Sequence, residues 1–291
     1  MGIPLLAVEL KGGLGNQLFQ IAAGYAYAKK YAMELCFPRV WNCRSDRQPI
    51  WNTYFRDSQH KFSLLEKSSF ENVRRHTISE EGFAYKEIPA PPRGLPFYKL
   101  NGYFQSSQFF KAVQEEIRDL MHIPLWLAVE ANTQLDRLQV DPDEDWIGAH
   151  VRRGDYIFVS DYHVTTSKEY FEGARSHIQQ KSGYSRVCWI TEDPEWVYQT
   201  LAKEGDEIIS GDQLSDFATL AKFKHLILSN SSYSWWAAWL NPLQHKNRII
   251  CAPNKWFGPK GPQDFATIFE PDWTLIDTTS GKVVEQLDNQ V

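Results

Sequence analysis

From residue 146 onward the chain alternates short apolar runs with helix-patterned segments, and this alternation constrains its fold more than any other feature. Runs at 146–151, 186–191, 208–209, 225–229 and 248–252 read as strands. Helix patterns at 168–180, 195–203, 215–221 and 232–240 fill the spaces between them. Strands separated by helices are joined by crossovers, so they pair in parallel, and the helices cover the sheet on both faces. The expected fold class is therefore α/β.

The first half is less regular. A strand is predicted at 5–10, a helix at 17–31 and a second strand at 34–37, which together make one βαβ unit. Residues 41–97 carry prolines and few periodic signals, and loops and short helices are expected there. A strand at 97–103 and helices at 109–121 and 125–138 follow. The acidic, proline-broken stretch 141–145 marks the expected boundary between an N-terminal domain of 1–140 and a C-terminal domain of 141–291. A chain of 291 residues accommodates two such domains.

Composition excludes several classes. The net charge is −5 with no basic run, which argues against a nucleic-acid partner. Cys36, Cys43, Cys188 and Cys251 are scattered, so no disulfide framework or zinc motif is expected. Cys188 and Cys251 fall inside strand runs and read as small core residues. No apolar run approaches the ~20 residues that span a bilayer, and the N-terminus lacks the basic start of a signal peptide. A cytoplasmic location is expected, with peripheral contact at the inner membrane face left open. The 11 tryptophans suit core filling, or stacking on sugars and bases.

Three segments carry chemistry. His150-Val151-Arg152-Arg153-Gly154-Asp155-Tyr156 begins inside a buried strand and runs past its end, where open α/β sheets bind ligands. An arginine there offers a planar fork for a phosphate. Successive residues alternate in direction, so one of the two arginines faces a site and the other makes an ion pair, with Asp155 as the expected partner. Lys11-Gly12-Gly13-Leu14-Gly15-Asn16-Gln17 lies between strand and helix, either as an anion-binding turn or as a plain tight turn. It matches neither the Walker loop nor the dinucleotide fingerprint. Ser229-Asn230-Ser231-Ser232-Tyr233-Ser234 runs from a strand end into a helix start and supplies hydroxyls and free N–H groups. The aspartates at 141, 143 and 145 precede a strand rather than end one, so they are not taken as metal ligands.

Together with Gly102-Tyr103-Phe104-Gln105-Ser106, Thr191-Glu192-Asp193-Pro194-Glu195-Trp196 and the continuation Trp235-Trp236-Ala237-Ala238-Trp239, these motifs resemble the α-1,2-fucosyltransferase family, in a bacterial-type soluble form. The resemblance implies a GT-B-like pair of Rossmann-type domains whose parallel sheets face a cleft. It implies an inverting, metal-independent enzyme with no cofactor, which moves L-fucose from GDP-β-L-fucose to the 2-hydroxyl of a galactose-terminated glycan. Its donor residues would be Gly13, Gly15, Asn16, Arg152, Arg153, Glu192, Asp193, Ser231, Ser232 and Ser234. Its acceptor residues would be Gln17, Tyr103 and Gln105. Arg152 would stabilise the leaving diphosphate, and Asp155 is the candidate base, with Glu192 and His150 behind it. The family often carries two aspartates where this chain has Glu192-Asp193. A carboxylate there either reads the guanine edge or caps the helix that begins at Pro194. Two rival readings are a GDP-fucose enzyme of another linkage (α-1,6 or protein O-fucosyl) and a non-catalytic sugar- or nucleotide-binding module.

Overall fold

The computed structural model describes residues 2–39, 49–66, 69, 74–241 and 247–284, with Asp155 described in its backbone only. The chain forms two compact units, Met1–Pro124 and Leu125–Val291.

The first unit is built on β1 (Leu5–Val8), α1 (Leu14–Lys30), β2 (Glu34–Pro38), β3 (Ser63–Leu65), β4 (Arg75–Ser79) and β5 (Phe97–Asn101). Among the described residues its sheet runs β3-β2-β1-β5-β4, parallel throughout. The edge strands β3 and β4 lie in the stretch expected to be loops. β3 is only half-buried and β4 buries Ile78 alone, so neither carries an apolar run. Ahead of β3, Trp51, Phe55 and Phe62 close on one another with ring centroids 4.7–5.9 Å apart. Where one helix was expected over 109–121, a 3-10 segment, Ser107–Val113, leads into α2 (Gln114–Leu120). The 3-10 segment is itself kinked at Phe110, and the non-helical φ of Val113 (−131°) separates it from α2.

The second unit holds α3 (Leu125–Leu138), β6 (Trp146–Val151), α4 (Lys168–Ser182), β7 (Arg186–Thr191), α5 (Pro194–Thr200), β8 (Glu207–Ile209), α6 (Gln213–Leu220), β9 (His225–Ile227), α7 (Ser232–Leu240), β10 (Ile250–Pro253) and β11 (Thr274–Ile276). The described strands form a parallel sheet in the order β11-β10-β9-β6-β7-β8. β6 is buried at all six positions, as a strand sandwiched between helices must be. β11 is three residues long and was not foreseen.

The units part at Pro124/Leu125 rather than at 140/141. The helix expected to close the first domain belongs to the second because its buried stripe, Leu127, Ala131 and Leu135, faces that unit's core. Gln134 also donates to Asp216 (3.2 Å) and accepts from Thr219 (2.8 Å), both on α6. The acidic stretch is a connection inside the second unit, where Asp145 accepts from the Ser185 N–H (2.7 Å) and pairs with Arg186 (3.4 Å).

One buried ion pair locks the far side of this sheet. The fully buried carboxylate of Asp206 accepts both guanidinium nitrogens of Arg175 (2.7 and 2.8 Å), the N–H groups of Val187 and Lys203, and the indole of Trp189. Removing one partner of such a pair typically costs about 3–5 kcal/mol, because the other is left charged and unpaired.

Candidate active site

Parallel pairing sets Val151 beside Thr191, so the residues that follow β6 and β7 emerge at the same level. That register brings the arginines and acids together. Arg152 Nη1 lies 3.2 Å from Glu192 Oε1, and the same oxygen accepts the Arg153 N–H at 2.9 Å. Arg153 Nε pairs with Asp193 Oδ2 at 3.1 Å, while its guanidinium stacks on Trp196, 3.9 Å from the ring centroid. The expected partner Asp155 sits in the 3-10 segment Gly154–Val159, and its side chain lies outside the described residues. Gly154 leaves room for the Glu192 carboxylate, since a Cβ there would meet Oε1 at 2.9 Å and displace it.

Asp193 is committed at both oxygens. Oδ2 holds Arg153, and Oδ1 caps α5 through the Trp196 N–H at 3.2 Å. The capping reading therefore holds geometrically, with one acceptor site of each carboxylate oxygen engaged.

Strand β9 supplies the other wall. The Ser229 hydroxyl donates to the His150 carbonyl (2.7 Å) and accepts the Arg152 N–H (2.9 Å), which fixes the backbone from which Arg152 projects. Ser231 caps α7 by accepting from the Tyr233 N–H, and Ser232 opens the helix. Ser234 does not join this cradle. It is fully buried, and its hydroxyl is directed at the carbonyls of Ser229 and Ser231. Tyr156 supports Arg152 from below, with the guanidinium 5.3 Å from its ring. Asn230 donates to the Val164 and Trp256 carbonyls, both at 2.8 Å. Tyr156 and Asn230 were not given roles from sequence, although both lie inside the quoted motifs.

His150 is buried against Tyr233, with ring centroids 4.9 Å apart. Desolvation, helped by the charge of Arg152, pushes its pKa down to about 3. A neutral imidazole of so low a pKa is a poor proton acceptor, so the expected role as a base does not fit it. Its Nδ1 and the Asn230 Oδ1 are buried without a protein hydrogen-bond partner among the described residues. An unsatisfied buried polar atom costs about 1–3 kcal/mol.

The first unit gathers a different set at the ends of β1 and β5. Gly12 has φ +82°, and a Cβ there would strike the Asn16 amide, so the glycine is what lets Asn16 stand where it does. Gln17 donates to the Gly12 carbonyl (3.0 Å), and Gln105 donates to Asn16 Oδ1 (2.6 Å). Gly13 is the N-cap of α1 with no side chain capping the first turn, whereas Gly15 is buried. Tyr103 is 39% exposed. Its backbone is clamped by Glu80, which accepts the N–H groups of Tyr103 (2.6 Å) and Phe104 (2.8 Å). Glu80 lay in the stretch that sequence left unordered.

No helix among the described residues is long and apolar enough to cross a membrane. No cluster of metal-ligating side chains forms among the described residues either.

The two units are parallel-sheet α/β domains, the architecture that GT-B glycosyltransferases use. Crystal structures of GT-B fucosyltransferases share the fold. POFUT1 in complex with GDP matches with a TM-score of 0.52 and 10% identity over 82% of this chain and 94% of that one. NodZ from Bradyrhizobium matches with a TM-score of 0.52 and 12% identity over 83% and 94%. The model of glycosyl transferase family 11 matches residues 5–277, and the chain belongs to that family. Among its relatives, the O-antigen biosynthesis glycosyltransferase WbnK of Escherichia coli is 26% identical over 85% of this chain and 93% of its own length. An alpha-1,2-colitosyltransferase of Escherichia coli is 24% identical over 87% and 92%. Galactoside alpha-(1,2)-fucosyltransferase 1 of Leontocebus fuscicollis is 31% identical over 50% of this chain and 44% of its own.

Proposed function

We propose that the protein transfers L-fucose from GDP-β-L-fucose to the 2-hydroxyl of a terminal β-galactoside, with inversion and without a metal. The observation that carries this reading is Arg152. It is a cation at a strand end, pinned through its backbone by Ser229 and through its guanidinium by Glu192, in the unit that also presents the Ser231-capped start of α7. A fixed cation and a helix N-terminus suit a departing diphosphate.

In the reaction the acceptor oxygen attacks C1 of fucose on the face opposite the diphosphate. The C1–O bond breaks, its electron pair leaves on the β-phosphate, and the acceptor proton passes to a base. Arg152 stabilises the charge that builds on the phosphate, and such a donor is worth about 3–4 kcal/mol. Asp155 is the base in this reading. Glu192 is tied to the two arginines, and His150 is buried and neutral. The second unit takes the donor. Gln17, Tyr103 and Gln105 of the first unit take the acceptor, while Gly13, Gly15 and Asn16 of its glycine turn are assigned to the donor.

The 2-linkage draws support from the relatives named for alpha-1,2 transfer of fucose and of colitose. Incubation with GDP-fucose and a panel of galactosides, followed by NMR assignment of the product, is the direct test. An α-1,2-fucosylated galactoside is expected. An α-1,6 product, transfer only from a 3-deoxy analogue of the donor, or GDP binding without turnover would each replace the reading.

A further inference from the structure

Lys11 stands at the junction of β1 and the glycine turn, and no role has been given to it. Its backbone is held from both sides by one buried side chain, since its N–H donates to Gln20 Oε1 (2.8 Å) and its carbonyl accepts from Gln20 Nε2 (3.3 Å). Gln20 is fully buried, so the direction in which residue 11 leaves the strand is fixed by the core of the unit. The ammonium is then led to the end of β5. Nζ donates to Asn101 Oδ1 at 3.2 Å and lies 4.7 Å from the centroid of the Tyr103 ring. Asn101 is steadied in turn by Ser79 on β4, and Tyr103 by the Glu80 carboxylate. Three chain segments therefore converge to place one ammonium over one partly exposed aromatic ring.

Lys11 has no carboxylate within ion-pair distance among the described residues. Lys99, also at the β1–β5 edge, is paired with Glu9, which is the ordinary arrangement for a surface cation. Of the three ammonium hydrogens of Lys11, the Asn101 bond uses one, and two remain for a ligand. An aromatic face next to hydrogen-bond donors is the chemistry that binds a sugar ring. The ring takes the C–H face, and the donors take the hydroxyls. A diphosphate would gain little from the exposed ring.

We propose that Lys11 is an acceptor-binding residue that donates hydrogen bonds to the hydroxyl oxygens of the galactoside while Tyr103 takes its apolar face. This rests on the reading that the first unit carries the acceptor. It extends that reading to a residue that selects acceptors by their hydroxyl pattern.

The test is Lys11→Met, which keeps the stem and the contact with Tyr103 and removes the donors. Hydrogen bonds to charged groups are worth about 1.5–3 kcal/mol, so the KM for acceptor should rise by about ten- to a hundredfold. The Kd for GDP should stay within about twofold. Lys11→Arg should recover part of the loss, and deoxygenated acceptors should discriminate the variant from wild type less than hydroxylated ones. An unchanged acceptor KM in a folded variant overturns the assignment, as does a fall in GDP affinity equal to the loss in acceptor binding. If the wild type fails to transfer to any galactoside, the parent reading fails. Saturation-transfer NMR of the galactoside panel against wild type and Lys11→Met then decides the residue separately. Equal signals with both, or none with either, overturn it, and a loss confined to the variant supports it.

Discussion

The two strand-end clusters are built from different chemistry. In the second unit the β6 end is a lattice of charges, with Glu192 accepting from both Arg152 and the Arg153 N–H while Asp193 holds the Arg153 guanidinium and caps a helix. In the first unit the β1 end is a lattice of amides, in which Asn16, Gln17, Gln20 and Gln105 bond to one another and to the glycine-turn backbone. Charges arranged in advance act most strongly on a ligand whose own charge changes during reaction. Amides distinguish one hydroxyl pattern from another without a large field. A transferase needs both functions, and in the proposed reading the charged cluster serves the leaving diphosphate while the amide cluster serves hydroxyl recognition.

The largest expected effect falls on the charged cluster. Arg152→Ala should lower transfer by about a hundred- to a thousandfold with the fold retained, the range for loss of one stabilising donor. Arg152→Lys should recover little, because one ammonium cannot reproduce the fork. Near-normal turnover in a folded Arg152→Ala variant would break the contrast between the units.

Glu192→Gln should sharpen it. The amide oxygen still accepts from the Arg153 N–H, but the charge that orients Arg152 is gone. Turnover should fall about tenfold from loosened positioning. GDP affinity should fall less than threefold, since removing a nearby negative charge offsets the lost order. A parallel collapse of GDP affinity, measured by calorimetry, would make Glu192 part of the binding surface rather than the support for Arg152.

Much of this cluster was legible in the sequence, and its limits have physical causes. The alternating pattern from 146 onward showed the parallel sheet because central strands such as β6 are buried at every position and read as mostly apolar runs. The partner of Arg152 was missed because pairing was sought within one motif. The signal was available, since neighbouring parallel strands in register place the residues after Val151 beside those after Thr191. The edge strands β3 and β4 left no trace because they bury too little. The helix Leu125–Leu138 was found, but its unit was misassigned, because a buried stripe does not say which core it meets. Lys11 carried no signal beyond being a lysine, and Gln20 is a buried polar residue hidden inside a helix pattern.

A smaller effect concerns pH. His150 is buried and kept neutral, with its pKa pushed down to about 3. In the unfolded chain it titrates near 6.5, so below that pH the unfolded state binds a proton that the native state refuses. The stability contributed by the neutral imidazole is complete above about pH 6.5 and is lost as pH falls towards 3. At pH 5 the loss amounts to about 2 kcal/mol, at roughly 1.4 kcal/mol per pH unit. Urea unfolding at pH 7.5 and 5 should therefore show a larger drop for wild type than for His150→Gln, whatever the variant's absolute stability. Equal drops would mean that the imidazole is not held neutral. The amide cluster of the first unit does not titrate and should add nothing to this difference.

The smallest expected effect is that of a chelator. Activity after EDTA treatment should match the untreated enzyme within error, because the cations at the β6 end belong to the chain itself. Arg152 and Arg153 supply fixed charge, and the start of α7 adds its N–H groups. The acids nearest to them are already engaged, Glu192 by both arginines and Asp193 by Arg153 and a helix N–H. The acidic stretch 141–145 precedes β6 rather than following it. Seven rises of about 3.3 Å put Asp145 about 23 Å from Arg152, and its carboxylate is bound to Ser185 and Arg186. Loss of activity with EDTA, restored by Mg²⁺ or Mn²⁺, would mean that the arginines do not suffice for the leaving diphosphate. The charged cluster would then be a scaffold for a cation rather than a substitute for one.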